Sequence, residues 1–265
     1  MPGDLQVPGR YLCVVTFAVA ADAYDRFMGR YSAQLSAQMA DFAGIDGGQR
    51  VLDVGCGPGA LTTELVARLG AARVSAVDPS EQFVAAARER HPGVVVQQAA
   101  AENLPFEDAS FDAALAQLVV HFMSDPVAGL REMARVTRAG GVVAACVWDH
   151  GGEQTPLAPF WQAARELDPG TEDESELAGG RRGHLTELFG EAGLHDIEEK
   201  ALPVRVEHAT FEEWWEPFTL GVGPAGSYVA QLGADRQREL RDLLRERMPA
   251  PFTLAARAWT ARGIA

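Results

Sequence analysis

The sequence predicts an α/β fold in which a buried parallel sheet carries helices on both faces. Three observations predict it. Short apolar runs alternate with helical patterns from residue 50 to residue 148. Those runs are apolar almost throughout, as strands buried on both faces are. And the run "VLDV" (51–54) ends in "GCGPG" (55–59), which leads straight into a helical pattern. A strand, a glycine turn and a helix in that order bring a ligand against backbone amides at the carboxyl edge of a sheet.

The elements follow in order. Residues 50–54 form the first strand. Leu61, Leu65 and Leu69 share one face of a helix over 60–69, and Gly70 stops it. "RVSAVD" (73–78) is the second strand. Ser80 caps a helix through Arg90, which His91-Pro92-Gly93 ends. "VVVQ" (94–97) and "FDAALAQ" (111–117) are the third and fourth strands. Asp125 and Pro126 open a helix in which Val127, Leu130, Ala134 and Val136 recur at helical spacing, and Gly140-Gly141 closes it. "VVAACVW" (142–148) is the fifth strand.

Beyond Trp148 the composition changes. Residues 150–183 are rich in glycine, proline and acid, with one helix around 157–167, and the run "EDESE" (172–176) is expected to be a solvated loop. "HLTELFGEAG" (184–193) is a helix with a glycine stop. "IEEKALPVRVE" (197–207) and "FTLAARAWTARG" (252–263) are two late strands. Between them lie an aromatic helix, "TFEEWWEPFTL" (210–220), a glycine-rich turn, "GVGPAGS" (221–227), and the helix "ADRQRELRDLLRERM" (234–248). Arginines and acids interleave on that last helix, which reads as a salt-bridged exposed face.

Composition excludes some classes of function. The formal net charge is −14, a field that repels a phosphate backbone, so a nucleic-acid partner is disfavoured. Cys13, Cys56 and Cys146 are far apart and show no CxxC spacing. That argues against a disulfide framework or a zinc site and suits a reducing cytoplasm. "YLCVVTFAVAADA" (11–23) is too short to span a bilayer, and the residues before it, with Asp4 and a single Arg10, make a poor signal sequence. Residues 1–20 are therefore expected to be a disordered or over-extended start, and 21–265 a single domain. The oligomeric state is not legible.

The glycine loop narrows the ligand. Its spacing is G-x-G-x-G at Gly55, Gly57 and Gly59, not the G-x-G-x-x-G of nicotinamide-binding loops. Asp53 stands two residues before it; a carboxylate there repels a pyrophosphate and suits an ammonium. Asp78 ends the second strand, 19 residues after Gly59, where an acid holds the hydroxyls of an adenosine ribose. The ligand implied has an adenosine, no pyrophosphate and a cationic head.

"VLDVGCGPG", "AVDPS", "AAENLPFEDASFD" and "GLREMARVTRAGGVV" together resemble the ordered motifs of class I S-adenosylmethionine-dependent methyltransferases, most closely small-molecule enzymes of the UbiE-like, type 11 kind. The resemblance covers residues 24–150 strongly and the rest in element order alone. It implies a Rossmann-like, doubly wound sheet of seven strands, the last pair containing one reversed strand, and S-adenosylmethionine as cofactor. Residues 24–150 would be the cofactor-binding core, and 151–195 and 208–250 helical insertions forming a lid over a small-molecule acceptor.

The family's residues carry over one by one. Gly55 and Gly57 match the loop under the methionine part, Asp53 the acid before it, and Asp78 the ribose-binding acid. Phe83 matches the apolar position on the adenine; its other reading is helix core. Ala101 and Glu102 match the pair flanking adenine, while Ala100 replaces an acid that many relatives place there. Gln117 ends the fourth strand, where a backbone carbonyl meets the methionine amino group. "YDRFMGRYS" (24–32) matches a covering helix, in which Tyr24 or Arg30 would bind the methionine carboxylate.

A sulfonium methyl is already electrophilic, so the enzyme mainly aligns an O, N or C nucleophile with it. His121, just past the fourth strand, is the candidate base, with His150 second; a structural role is the alternative for both. The acceptor is expected against Phe27, Tyr31, Trp148, Trp214, Trp215 and Phe218, with the glycines at 221–227 as a lid hinge. Adjacent tryptophans point in different directions on a helix, so one packs inward while the other lines a pocket, or the neighbouring helix covers both. Two other classes stay open: a cofactor-binding sensor that transfers nothing, and, opposed by the glycine spacing and Asp53, a nicotinamide oxidoreductase.

Overall fold

The computed structural model describes residues 21–265. The start assigned to residues 1–20 lies outside the described residues. The chain opens with α1 (Ala21–Tyr24), a π-helical turn (Asp25–Gly29) and α2 (Arg30–Phe42). Then come β1 (Val51–Val54), α3 (Ala60–Leu69), β2 (Val74–Asp78), α4 (Glu81–Arg90), β3 (Val95–Gln98), β4 (Phe111–Gln117), α5 (Pro126–Val136) and β5 (Thr137–Trp148). The remainder is α6 (Ala158–Leu167), α7 (His184–Glu191), β6 (His195–His208), α8 (Phe211–Trp215), α9 (Gly223–Gln231), α10 (Ala234–Arg247) and β7 (Phe252–Ile264).

One seven-stranded sheet runs in the order β3-β2-β1-β4-β5-β7-β6. The strands from β1 to β5 pair in parallel, and β7 runs antiparallel to both β5 and β6. The reversed strand expected in the last pair is therefore β7. Winding goes outward from β1 to β3 and then returns through β4 on the other side. That reversal opens a crevice at the carboxyl ends of β1 and β4.

Alternation along each strand divides the core. Val51, Ala113, Leu115, Ala144 and Cys146 face one cluster, which Leu35, Met39, Leu61 and Leu65 of α2 and α3 cover. Leu52, Val54, Ala114, Ala116, Val143 and Val147 face the other, covered by Leu130 and Met133 of α5 and Leu185 and Phe189 of α7. The strands are apolar on both faces because each face meets helices. Asp53 shares its face with Val51, beneath α3.

Three expectations need correction. Gly140-Gly141 does not close a helix. The helix stops at Val136 and the strand starts at once, with the glycines inside β5. The β4–β5 register shifts between Phe111 and Ala113, and a Cβ on Gly141 would lie 2.6 Å from the Asp112 carbonyl oxygen. The pair serves a bulge, not a stop.

The stretch 221–227 is not a turn either: Gly223–Gln231 is helical, with proline in its first turn. Ala225 and Val229 are buried, and a Cβ on Gly226 would meet Gly221 backbone at 2.7 Å. Gly226 thus serves close packing within a helix and not a turn. Finally, the acidic run is not fully solvated, since Glu174 is 4% exposed. Among the described residues no helix is long and apolar enough to cross a membrane.

Candidate active site

At the carboxyl ends of β1, β2 and β4 lies a cavity of ≈ 320 Å³. Tyr24, Asp53, Gly55, Gly57, Asp78, Phe83, Ala101, Glu102 and Gln117 all line it. Ser32 and, from the loop after β4, Leu118, Val119, Phe122 and Met123 also line it. Of that loop only His121 is singled out by sequence; the place after a strand at the crevice is the positional signal for the rest.

The glycine loop is fixed by its own amides. Gly55 and Cys56 donate N–H bonds to the Val77 carbonyl at 2.8 and 2.9 Å, tying the loop to β2. Gly55 has φ +70°, and a Cβ there would strike Val119 at 2.4 Å. Gly57 has φ +53°, but a Cβ would meet nothing within 4 Å. One glycine is thus required by packing, the other by backbone conformation beside open space.

Two backbone amides orient Asp78: Gly57 N–H donates to Oδ2 and Ser80 N–H to Oδ1, each at 2.8 Å. A carboxylate has acceptor capacity beyond those two bonds. Burial pushes Asp78 up to about 6, against those amides. Asp53 is 1% exposed; Thr62 Oγ1 donates to its Oδ2 at 2.6 Å. Burial raises its carboxyl to about 7, with the Asp78 charge adding to the rise.

Gln117 donates from Nε2 to the Ser32 carbonyl at 3.3 Å, which ties β4 to α2. Its Oε1 is buried and has no hydrogen-bond partner among the described residues. Phe83 meets Tyr24 edge-on, ring centroids 5.5 Å apart. Glu102 holds the loop after β4: its Oε1 accepts from Ser124 N and Oγ at 2.7 and 2.8 Å.

Arg30 is placed elsewhere. Its guanidinium binds the Glu213 carboxylate and the Glu207 carbonyl, and it lines a second cavity. That cavity, ≈ 280 Å³, lies between the N-terminal helices and the segment after β6, and Phe27, Tyr31, His208, Trp214 and Phe218 line it. Tyr31 and His208 share a hydrogen bond at 2.8 Å between Oη and Nε2. His208 escaped notice in the sequence, yet it continues the buried positions Leu202, Val204 and Val206 at a period of two.

Of the two tryptophans, Trp214 lines the second cavity, while Trp215 packs inward, stacked on Phe211 at 6.2 Å. Both are buried. Trp148 lines neither cavity; it is 4% exposed and meets Tyr31 edge-on at 6.4 Å. His121 lines neither cavity but backs the first one, its ring 3.9 Å from that of Phe122. Its Nδ1 is buried without a hydrogen-bond partner among the described residues. Burial drives its pKa well below the usual imidazole range, and His150, 5.6 Å away, adds to the fall. Both effects favour the neutral ring.

Residues 52–145 match the family described as a methyltransferase domain. The chain is 34% identical over 139 residues to a malonyl-[acyl-carrier protein] O-methyltransferase of Erwinia billingiae, which covers 52% of this chain and 54% of that protein. It is 36% identical over 151 residues to a probable S-adenosylmethionine-dependent methyltransferase of Mycobacterium tuberculosis, covering 56% of this chain and 49% of the other. It thus spans about half the length of these relatives. In fold it is similar to the YcgJ protein of Bacillus subtilis, with a TM-score of 0.56 at 21% identity over 88% of this chain and 97% of that one. The glycine loop and the strands β1 to β4 lie within the matched methyltransferase domain or at its edge.

Proposed function

We propose that the protein transfers a methyl group from S-adenosylmethionine to an O, N or C nucleophile of a small apolar or aromatic metabolite. The observation that carries this reading is the chemistry of the first cavity. Asp53, Asp78 and the orphaned Gln117 Oε1 are all acceptors, and among the described residues no lysine, arginine or histidine lines the wall. Such a lining suits an ammonium and ribose hydroxyls and leaves a pyrophosphate without a countercharge, which disfavours a nicotinamide dinucleotide.

In this reading Asp78 would accept from the ribose hydroxyls, and Asp53 with Gln117 Oε1 from the ammonium. Phe83, Ala101 and Glu102 would flank the adenine. Gly57 would let the chain approach the methionine part closely. With Arg30 bound to Glu213, Tyr24 is the remaining candidate for the methionine carboxylate. When bound, S-adenosylmethionine supplies a methyl group made electrophilic by its sulfonium.

The rest of the work is alignment and exclusion of water. Phe27, Tyr31, Trp214 and Phe218 offer an apolar acceptor its surface, and Trp148 and Trp215 support that wall from behind. His121 lines neither cavity and burial lowers its basicity, which leaves alignment the larger share. Cys56 and Cys146 are free and buried, and burial raises both thiols, Cys146 to about 12. Unreactive thiols suit the cytoplasm we assign.

Incubation with methyl-labelled S-adenosylmethionine and a metabolite extract tests the reading. A labelled small product identified by mass is expected. Tight S-adenosylhomocysteine binding with no labelled product from any extract would leave a cofactor-binding sensor instead.

A further inference from the structure

The acidic run at 172–176 conceals a carboxylate that the methyl-transfer reading does not use. Glu174 is 4% exposed, and Trp161 Nε1 donates to its Oε2 at 2.8 Å. Its Oε1 takes no hydrogen bond among the described residues. Burial raises the carboxyl to about 7. A buried carboxylate with one donor and no countercharge is costly to the fold.

Glu174 lines a polar cavity of ≈ 400 Å³ together with His150, Thr155, Trp161, Arg165 and Asp173. Among the described residues this cavity shares no lining residue with the glycine-loop cavity. His150 is a second buried polar group in its wall: it is 6% exposed, and its Nε2 has no hydrogen-bond partner among the described residues. Burial lowers it to about 4, so near neutral pH it is an acceptor at one nitrogen and not a cation. Among the described lining residues Arg165 is the sole cation, and its guanidinium is already engaged by Asp173 and Glu153. The wall therefore presents acceptors that lack donors, and negative charge that lacks a partner.

We propose that this cavity binds a primary alkylammonium, which donates to Glu174 Oε1, with His150 as the second acceptor and the Trp161 ring beside the cation. A primary ammonium has three N–H donors and no acceptor, and it brings the positive charge that Glu174 lacks. An indole ring near a cation adds attraction. An anion would face Glu153, Asp173 and Glu174 together. A quaternary ammonium has the charge but no N–H to give. The site stands independently of methyl transfer.

Propylammonium chloride is the probe, and the Trp161 indole N–H, followed by NMR in protein carrying ¹⁵N-labelled tryptophan, is the reporter. Trp161→Phe assigns its signal. Propylammonium should shift that signal saturably, whereas propyltrimethylammonium and propionate should not. Saturating S-adenosylhomocysteine should not displace it. Glu174→Gln keeps an oxygen for Trp161 and should weaken binding at least tenfold. No saturable shift, an equal shift with propyltrimethylammonium, displacement by S-adenosylhomocysteine, or unchanged affinity in a folded Glu174→Gln would each overturn the proposal. Should Glu174→Gln fail to fold, the three probes on the native chain still decide it.

Discussion

The glycine-loop cavity and the aromatic cavity behind the N-terminal helices are built on opposite plans. In the first, backbone amides do the holding: Gly55, Cys56, Gly57 and Ser80 all donate to β2 or to Asp78. Most of its wall is made of short segments that follow directly on strands β1 to β4. In the second, side chains do the holding, across long stretches of chain. Arg26 pairs with Glu216, 190 residues away, and Tyr31 with His208, 177 away. A site made from backbone at strand ends tolerates changes of side chain around it. A site made from interlocked rings is also part of the core, so altering it alters stability first.

That contrast can be broken by experiment, and the largest expected effect lies in the aromatic region. Phe218 is 1% exposed, stacked on Phe160 at 4.7 Å and edge-on to Phe27 at 5.2 Å. Phe218→Ala should cost about 3–5 kcal/mol of stability in denaturant melts. At a temperature where it is folded, its S-adenosylhomocysteine affinity should match the native protein within about twofold. A large affinity loss in the folded variant would mean that the two regions act as one.

Next in size, Asp78→Ala should weaken S-adenosylhomocysteine binding by about 1.5–3 kcal/mol, the cost of hydrogen bonds to a charged group. Calorimetric titration checks it. Equal affinities would remove Asp78 from the ribose, and with it the idea that the backbone-held side serves the cofactor.

Asp53 gives an effect of about tenfold. Its folded pKa is raised to about 7 by burial, far above an exposed aspartate. In the empty protein the folded state keeps a proton that the unfolded state has released, so stability falls as pH rises from about 4 through 7. Binding of an ammonium works in the opposite direction, because it selects the ionised form. Asp53 goes from about one-tenth to nine-tenths ionised between pH 6 and 8, so S-adenosylhomocysteine affinity should rise about tenfold over that range. Asp53→Asn should flatten the rise. A flat native profile would show that this carboxylate does not meet the ammonium.

The same contrast explains what was legible in the sequence. The strands from β1 to β5 and the first cavity follow from local signals: apolar runs, a glycine spacing and an acid at a strand end. Gly57 and Asp78 are 21 residues apart, yet one lies in the loop that follows β1 and the other ends β2, and parallel neighbours bring such ends together. The glycines at 140–141 and 221–227 misled because a glycine marks a stop, a bulge or a close contact alike, and the Asp112 and Gly221 backbones that decide between them are distant or unpatterned. Glu174 was hidden for a related reason. Nothing in "EDESE" singles out its middle residue, and burial there comes from Trp161 on α6. His208 was readable, as the inward continuation of the β6 alternation.

Arg30 gives the smallest expected effect and the sharpest division between the two regions. By sequence it shares the covering segment with Tyr24, and either could hold the methionine carboxylate. In the folded chain Tyr24 lines the glycine-loop cavity, while Arg30 lines the aromatic one and binds Glu213. Both partners are substantially exposed, at 46% and 40% of their side-chain surface, so solvent screens the pair. Such a pair contributes about 0–1 kcal/mol. Arg30→Ala should therefore shift the denaturant midpoint only slightly and leave S-adenosylhomocysteine affinity unchanged, whereas Tyr24→Phe should weaken it several-fold. Calorimetry on the two variants separates the possibilities. If Arg30→Ala loses tenfold or more in affinity while staying folded, its guanidinium leaves Glu213 for the ligand carboxylate. The covering helix would then belong to the cofactor side along its whole length, and the boundary between the two regions would move from Tyr24 to beyond Arg30.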